Sequence, residues 1–155
     1  MEDHNNAEFI YQYTSRALEN VYKSIDVVTD KLTKVLAFSG VLLKFGYDMN
    51  PEGYLFSAKF LVLGFLVGAI GLCASGLWPK SSGDIELKPE HLLEEEQYGL
   101  TEEAMYVFIS RERIKGIPKA KEIRDYRVQM LNHAIGCLVA SGIVFGVTGM
   151  LSGIH

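Results

Sequence analysis

Apolar and polar positions fall into long blocks along this chain, and the longest apolar block sets the scale for the others. Phe60 to Trp78, FLVLGFLVGAIGLCASGLW, holds nineteen residues without a charge, between Lys59 and the pair Pro79-Lys80. At about 1.5 Å per residue this run is roughly 28 Å long as a helix, close to the hydrocarbon thickness of a bilayer. Trp78 stands where an interfacial aromatic belongs, and Pro79 cannot continue the helix. The rival is a buried helix in a soluble core, which is rarely apolar on every face for nineteen residues. The block predicts a membrane span.

Two more blocks follow the same logic. Leu131 to Ile154, LNHAIGCLVASGIVFGVTGMLSGI, contains only His133 as a potentially charged group and predicts a span at the end of the chain. Leu32 to Tyr47, LTKVLAFSGVLLKFGY, is shorter and is interrupted by Lys34 and Lys44. Both lysines lie near its ends, where a long side chain can carry its charge to the interface. This segment predicts a first span. Asp48 to Gly53, DMNPEG, is turn chemistry and predicts a tight hairpin into the second span, which begins near Tyr54.

The polar blocks also predict helices. Ile10, Tyr13, Ala17, Val21, Ser24 and Val28 recur at three- and four-residue steps, which predicts an amphipathic helix from Glu8 to about Lys31. With no Gly or Pro before Gly40, it can run on into the first span. Beyond the polar break at Ser81–Asp84, Pro89 and Gly99 bracket a short helix. Thr101 is an N-cap for TEEAMYVFISRERIK, which Gly116 and Pro118 are expected to interrupt. A last helix starts at Lys119 and continues into the third span. The expected organisation is an N-terminal cytoplasmic helix over 1–31, a transmembrane hairpin over 32–78, a cytoplasmic helical insert over 79–130 and a C-terminal transmembrane helix over 131–155.

Charge gives this layout an orientation. Arg16, Lys23, Lys31 and Lys34 precede the first span, and nine Lys or Arg residues lie between Lys80 and Arg127, whereas the hairpin loop has none. The positive-inside rule puts the N-terminus and the insert in the cytoplasm, and the hairpin tip and C-terminus outside. The first residues, MEDHNNAEFIYQY, lack a basic region followed by an apolar one, so no cleaved signal peptide is expected. The 155 residues fit one domain. A net charge of −4 speaks against a nucleic-acid binder, so none is expected as a partner. Cys73 and Cys137 both sit in apolar stretches without a CxxC or Cys/His neighbourhood and read as small packing residues.

The sharpest motif is a repeated stripe of small residues. Gly64, Gly68, Gly71 and Ser75 in the second span, and Gly142, Gly146, Gly149 and Gly153 in the third, share the spacing four, three, four. At about 100° per residue each set falls within roughly 60° of one helix face. Small residues let backbones approach closely, which drives association in lipid. Glycine is common in membrane helices, but four in register, twice, favour a packing seam within one chain or between copies.

The insert is polarised. Asp84 to Glu103 is acidic, and Arg111, Arg113, Lys115, Lys119, Lys121, Arg124 and Arg127 follow. These seven residues suit anionic lipid headgroups or a phosphate-bearing ligand. Lys44 and Lys59 flank the outer leaflet, where snorkelling at the interface is the favoured account and a pore-lining or ion-relay role the alternative. His91 beside Glu94 and Glu95 has no second His or Cys to complete a metal site. No catalytic motif is present, so no enzyme, cofactor or metal is expected.

The layout resembles the transmembrane effectors of nucleotide-triggered anti-phage defence in prokaryotes, the Pycsar transmembrane type and the related SLATT-domain proteins. DKLTKVLAFSGVLL, Asp30 to Leu43, is similar to their Asp-Lys pair entering a first span. A close second span and a cytoplasmic helical insert follow. KEIRDYRVQMLNHAIGCLVA, Lys121 to Ala140, then runs a charged helix into the last apolar segment. The likeness covers residues 20 to 150. It implies a homo-oligomer in the cell inner membrane whose cytoplasmic part senses a signal and whose spans then compromise the bilayer. The resemblance implies a signal nucleotide as trigger, but no recognisable ligand-binding module is present here, which points to a separate cytoplasmic sensor that supplies it.

The expected protein is therefore all-α, with three transmembrane helices and a cytoplasmic insert, non-enzymatic, and an oligomeric membrane-disrupting or pore-forming effector. The alternatives are a structural accessory subunit of a larger membrane complex, or a small channel.

Overall fold

The computed structural model describes residues 2–48, 55–78 and 100–152. They form three helices, α1 (Glu2–Asp48), α2 (Leu55–Leu77) and α3 (Glu102–Ser152), with no strand among the described residues. Two of these helices, α2 over Phe56–Leu77 and α3, are long and apolar enough to cross a membrane. The expected hairpin turn, the helix bracketed by Pro89 and Gly99, most of the acidic segment, His91 and Gly153 lie outside the described residues.

Contacts divide the chain into two compact units. The first takes α1 up to Asp26 and α3 up to Asp125. The second takes α1 from Val27, all of α2, and α3 from Tyr126.

In the first unit, α1 buries Ala7, Thr14, Val21 and Ile25 and half-buries Tyr11 and Leu18, at alternating four- and three-residue steps. This is the heptad spacing of a helix-pair seam. The facing side of α3 follows the same steps through Tyr106, Ser110, Arg113, Ile117 and Ala120, of which Ser110 and Ala120 are buried. Tyr11 meets Tyr106 and Arg113, while Val21 and Ile25 cluster with Ala120. Partners advance together along both helices, so α1 and α3 run parallel here. The expected apolar face is shifted: Val21 lies in the seam, but Ile10 and Tyr13 are exposed. The seam instead uses the small Ala7 and the polar Thr14, whose hydroxyl donates to the Ile10 carbonyl at 2.9 Å and is thereby satisfied.

The second unit packs three helices on the same heptad logic. Its seam positions are Val28, Leu32, Val35, Ser39, Leu42 and Gly46 on α1, and Leu131, Ala134, Leu138 and Ser141 on α3. On α2 they are Val62, Leu66, Ala69, Cys73 and Gly76, all buried. Val28, Leu32, Cys73, Leu131 and Ala134 form the core. Gly46 stands against Val62, Leu63 and Leu66, whereas Gly76 stands against Leu32 and Met130. α2 therefore runs antiparallel to α1, and α1 over 32–47 lies beside α2 over 59–76. Lys59 fastens the hairpin end: its Nζ donates to the Tyr47 carbonyl at 2.8 Å, near the C-terminus of α1.

Thr101 caps α3 as expected, its Oγ1 accepting from the Ala104 amide at 3.5 Å. Gly116 and Pro118, however, do not interrupt α3, which is continuous from Glu102 to Ser152. Proline removes the donor that the Ile114 carbonyl would use. Ile114 and Pro118 are both exposed, so that carbonyl lies on the side away from the seam. Seam packing at Ile117 and Ala120 holds the helix together across the break in its ladder.

Candidate functional site

The small-residue stripes and the helix seams are different faces. On α2 the buried line is Val62, Leu66, Ala69, Cys73 and Gly76, while Gly64, Gly71 and Ser75 are exposed and Gly68 is half-buried. Two residues of offset rotate a helix face by about 200°. That places the stripe behind the seam. A Cβ at Gly64 or Gly71 would meet nothing within 4 Å, and one at Gly68 would make only ordinary contact with Cys137 Sγ at 3.8 Å. Ser75 donates its hydroxyl to the Gly71 carbonyl at 2.8 Å and so presents little polarity outward. On α3, Gly142, Gly146 and Gly149 are exposed, and a Cβ at any of them would meet nothing within 4 Å. The glycines that do serve the packing of the unit are Gly46 and Gly76, which fall outside the repeated stripe. Only their membership of the heptad lines Ser39–Gly46 and Cys73–Gly76 could have singled them out.

The seven basic residues do not form one patch. In the first unit, Arg111, Lys115, Lys119 and Lys121 are exposed on α3, with Lys115 paired to Glu112 one turn back. Arg124 is half-buried and makes two hydrogen bonds to Asp125 Oδ1, at 2.7 and 2.9 Å. Arg113 turns into the seam. Its guanidinium lies 4.5 Å from the Tyr11 ring centroid and its Nη2 donates to the Tyr11 hydroxyl at 3.5 Å, while Nη1 is buried without a hydrogen-bond partner among the described residues. Tyr106 packs against Tyr11 with the rings tilted by 40° and their centroids 5.0 Å apart, and its hydroxyl donates to Glu102 at 2.9 Å. The hydrogen bond to that carboxylate, and then the repulsion two neighbouring anions would feel, raise the Tyr106 pKa. In the second unit, Arg127 also sits on a seam, with Nη1 donating to Thr29 Oγ1 at 2.6 Å.

These arginines can fix helix register more readily than they can bind a free anion. A polar side chain at a seam position specifies alignment at a cost in stability. Arg113→Met is accordingly expected to raise stability by about 1 kcal/mol, about 3 °C in the melting midpoint, by replacing an unpaired buried donor with an apolar chain. A lowered midpoint in a thermal melt would show that Nη1 has an acceptor.

Among the described residues no group of three or more His, Cys, Asp or Glu side chains could hold a metal ion. Cys73 and Cys137 are both free thiols. Comparison with family models, with curated proteins and with solved structures returned no match.

Proposed function

We propose that this chain is a three-span membrane protein that assembles with copies of itself through the outward glycine faces of α2 and α3. It acts without catalysis, as a membrane-disrupting or pore-forming effector. The observation that carries the assembly is the open space at Gly64, Gly71, Gly146 and Gly149, which no described part of the same chain uses. In lipid such faces gain contact only by meeting another helix closely. The first span is supported by its neighbours and its surface. It lies beside α2, and its outward residues Phe38, Val41 and Phe45 are large, apolar and exposed. Its lysines are paired toward the two ends, Lys34 with Asp30 at 2.6 Å and Lys44 with Asp48 at 3.5 Å. The effector role follows the likeness in layout, and the lysine and arginine distribution supports a cytoplasmic N-terminus and insert.

The mass of the purified chain in mild detergent, taken beside membrane potential on induction in cells, tests the proposal. A discrete homo-oligomer with loss of potential is expected, and a monomer without effect overturns it. Orientation has its own test, in a background with Cys73 and Cys137 replaced by alanine. Tyr47→Cys should react with an impermeant maleimide in intact cells, and Lys23→Cys only after permeabilisation. Equal reactivity at both sites in intact cells would remove the first span.

A second reading, as an accessory subunit of a larger membrane complex, is favoured by one feature of the first unit. Phe9 and Tyr13, both 67% exposed, stack with ring centroids 6.4 Å apart beside the exposed Ile10. A partner that co-purifies in fixed ratio and is lost in Tyr13→Ser would favour the subunit.

A further inference from the structure

We infer that the gap between the three helices at the hairpin end of the second unit binds one hydrocarbon chain, the acyl tail of a membrane lipid; this rests on the membrane reading above. The gap has a cause in the sequence. At the Val28 end the seam is filled by Val28, Leu32 and Leu131 around Cys73. Toward Asp48 the seam positions become Ser39 and Gly46 on α1 and Ser141 on α3. Small residues remove volume there, while larger neighbours keep the helices apart. What remains is a cavity of about 370 Å³, floored by Gly46, Val62, Leu66 and Ser141 and edged by Phe45 and Phe145.

The lining defines the ligand. The Ser141 hydroxyl is the one polar side-chain group among the lining residues, so a polar occupant would lose its hydrogen bonds with water and find almost none in return. Water itself needs two to four polar partners and is disfavoured for the same reason. The volume is within the usual range for small-molecule sites and more than twice that of apolar cavities of about 150 Å³ that take benzene. Left empty, the walls forfeit dispersion contacts on one side.

Access and charge point to a lipid tail in particular. Phe45 and Phe145 at the rim are 64% and 47% exposed, so the cavity opens sideways to whatever surrounds the helices. In a bilayer that medium is acyl chain. Gly46 lies two residues from Asp48, about 3 Å along the helix axis from the hairpin end of α1. A tail in the cavity thus leaves its headgroup at the interface, level with the exposed Lys44–Asp48 ion pair, whose two charges match those of a zwitterionic headgroup.

The test uses the full chain in phosphatidylcholine vesicles doped with a phosphatidylcholine carrying a diazirine on its acyl chain. After irradiation, adducts are mapped by peptide mass spectrometry. Adducts at Phe45, Leu138 and Phe145 are expected to exceed those at Phe60 and Val67, which are exposed on α2 away from the cavity, by about fivefold or more. Ser141→Phe, which fills the floor, and Leu42→Trp, which narrows the wall, should each bring the cavity adducts down to the Phe60 level. Uniform labelling, or cavity labelling that survives both variants, overturns the proposal. Cavity labelling below the Phe60 level also overturns it and would identify another protein segment as occupant. Absence of adducts at Phe60 and Val67 as well would bring down the membrane reading itself, a result distinct from the others.

Discussion

Replacing Gly146 by leucine is expected to turn the proposed oligomer into a monomer without unfolding the chain. The expectation has two parts because the structure separates them. Among the described residues of one chain a Cβ at Gly146 would meet nothing within 4 Å, so the larger side chain displaces none of their contacts. Between chains, leucine would hold two backbones several ångströms further apart at the point where small residues allow closest approach. The dissociation constant in mild detergent should rise at least tenfold, equivalent to about 1.4 kcal/mol. Gly136→Leu is the matched control. It lies on the same helix, about 80° round its axis from Gly146, and a Cβ there also meets nothing within 4 Å. Light scattering should give oligomer for Gly136→Leu and monomer for Gly146→Leu. If both variants assemble like the parent chain, the α3 stripe is not an interface.

How far the sequence reveals this molecule depends on what each signal measures. Phe60 to Trp78 was legible because an uninterrupted apolar run of membrane length has few other uses, and α2 ends at Leu77. The continuity of α1 could be expected from its lack of early breakers, and it runs from Glu2 to Asp48. The seam of α1 was less legible, since apolar residues lie on two stripes. Ile10 and Tyr13 compete with Ala7, Tyr11 and Thr14, and only packing against α3 chooses between them. Pro118 misled for a related reason. A local rule ends the helix there, but the proline stands on the exposed side while the seam on the other side remains intact. The glycine stripes were visible as a pattern, but whether they faced inward or outward was not. Spacing fixes which residues share a face and says nothing of what that face meets. Arg113 and Arg127 illustrate the same limit, because a run of basic residues divides between an outer surface and two buried seams once it is wound on a helix.

A leucine at Gly76 should do the opposite of one at Gly146 and destabilise the protomer itself, by about 1–3 kcal/mol. A Cβ added here would come within 3.0 Å of Leu32 Cδ1 and 3.1 Å of Met130 Cβ. The Leu32 methyl belongs to a fully buried side chain in the core around Cys73, and the Met130 Cβ is fixed to the α3 backbone. Neither can retreat unless a helix moves. Removing a glycine from a helix interior ordinarily gains up to about 1 kcal/mol, but Gly76 is the penultimate residue of α2, where that gain is small. Crowding therefore decides the sign. Trp78, the only tryptophan, lies two residues away and reports unfolding by fluorescence as denaturing detergent is titrated in. Gly71→Leu, with nothing within 4 Å among the described residues, should instead raise the protomer's midpoint by up to about 1 kcal/mol, because it removes a glycine from the helix interior. Leu32→Ala alone should cost about 2–5 kcal/mol by leaving a cavity in the core. Combined with Gly76→Leu it should cost less than the sum of the two, because the new side chain fills the space the other vacates, with a coupling of about 0.5 kcal/mol or more. Strict additivity would mean that α1 and α2 do not meet at these residues.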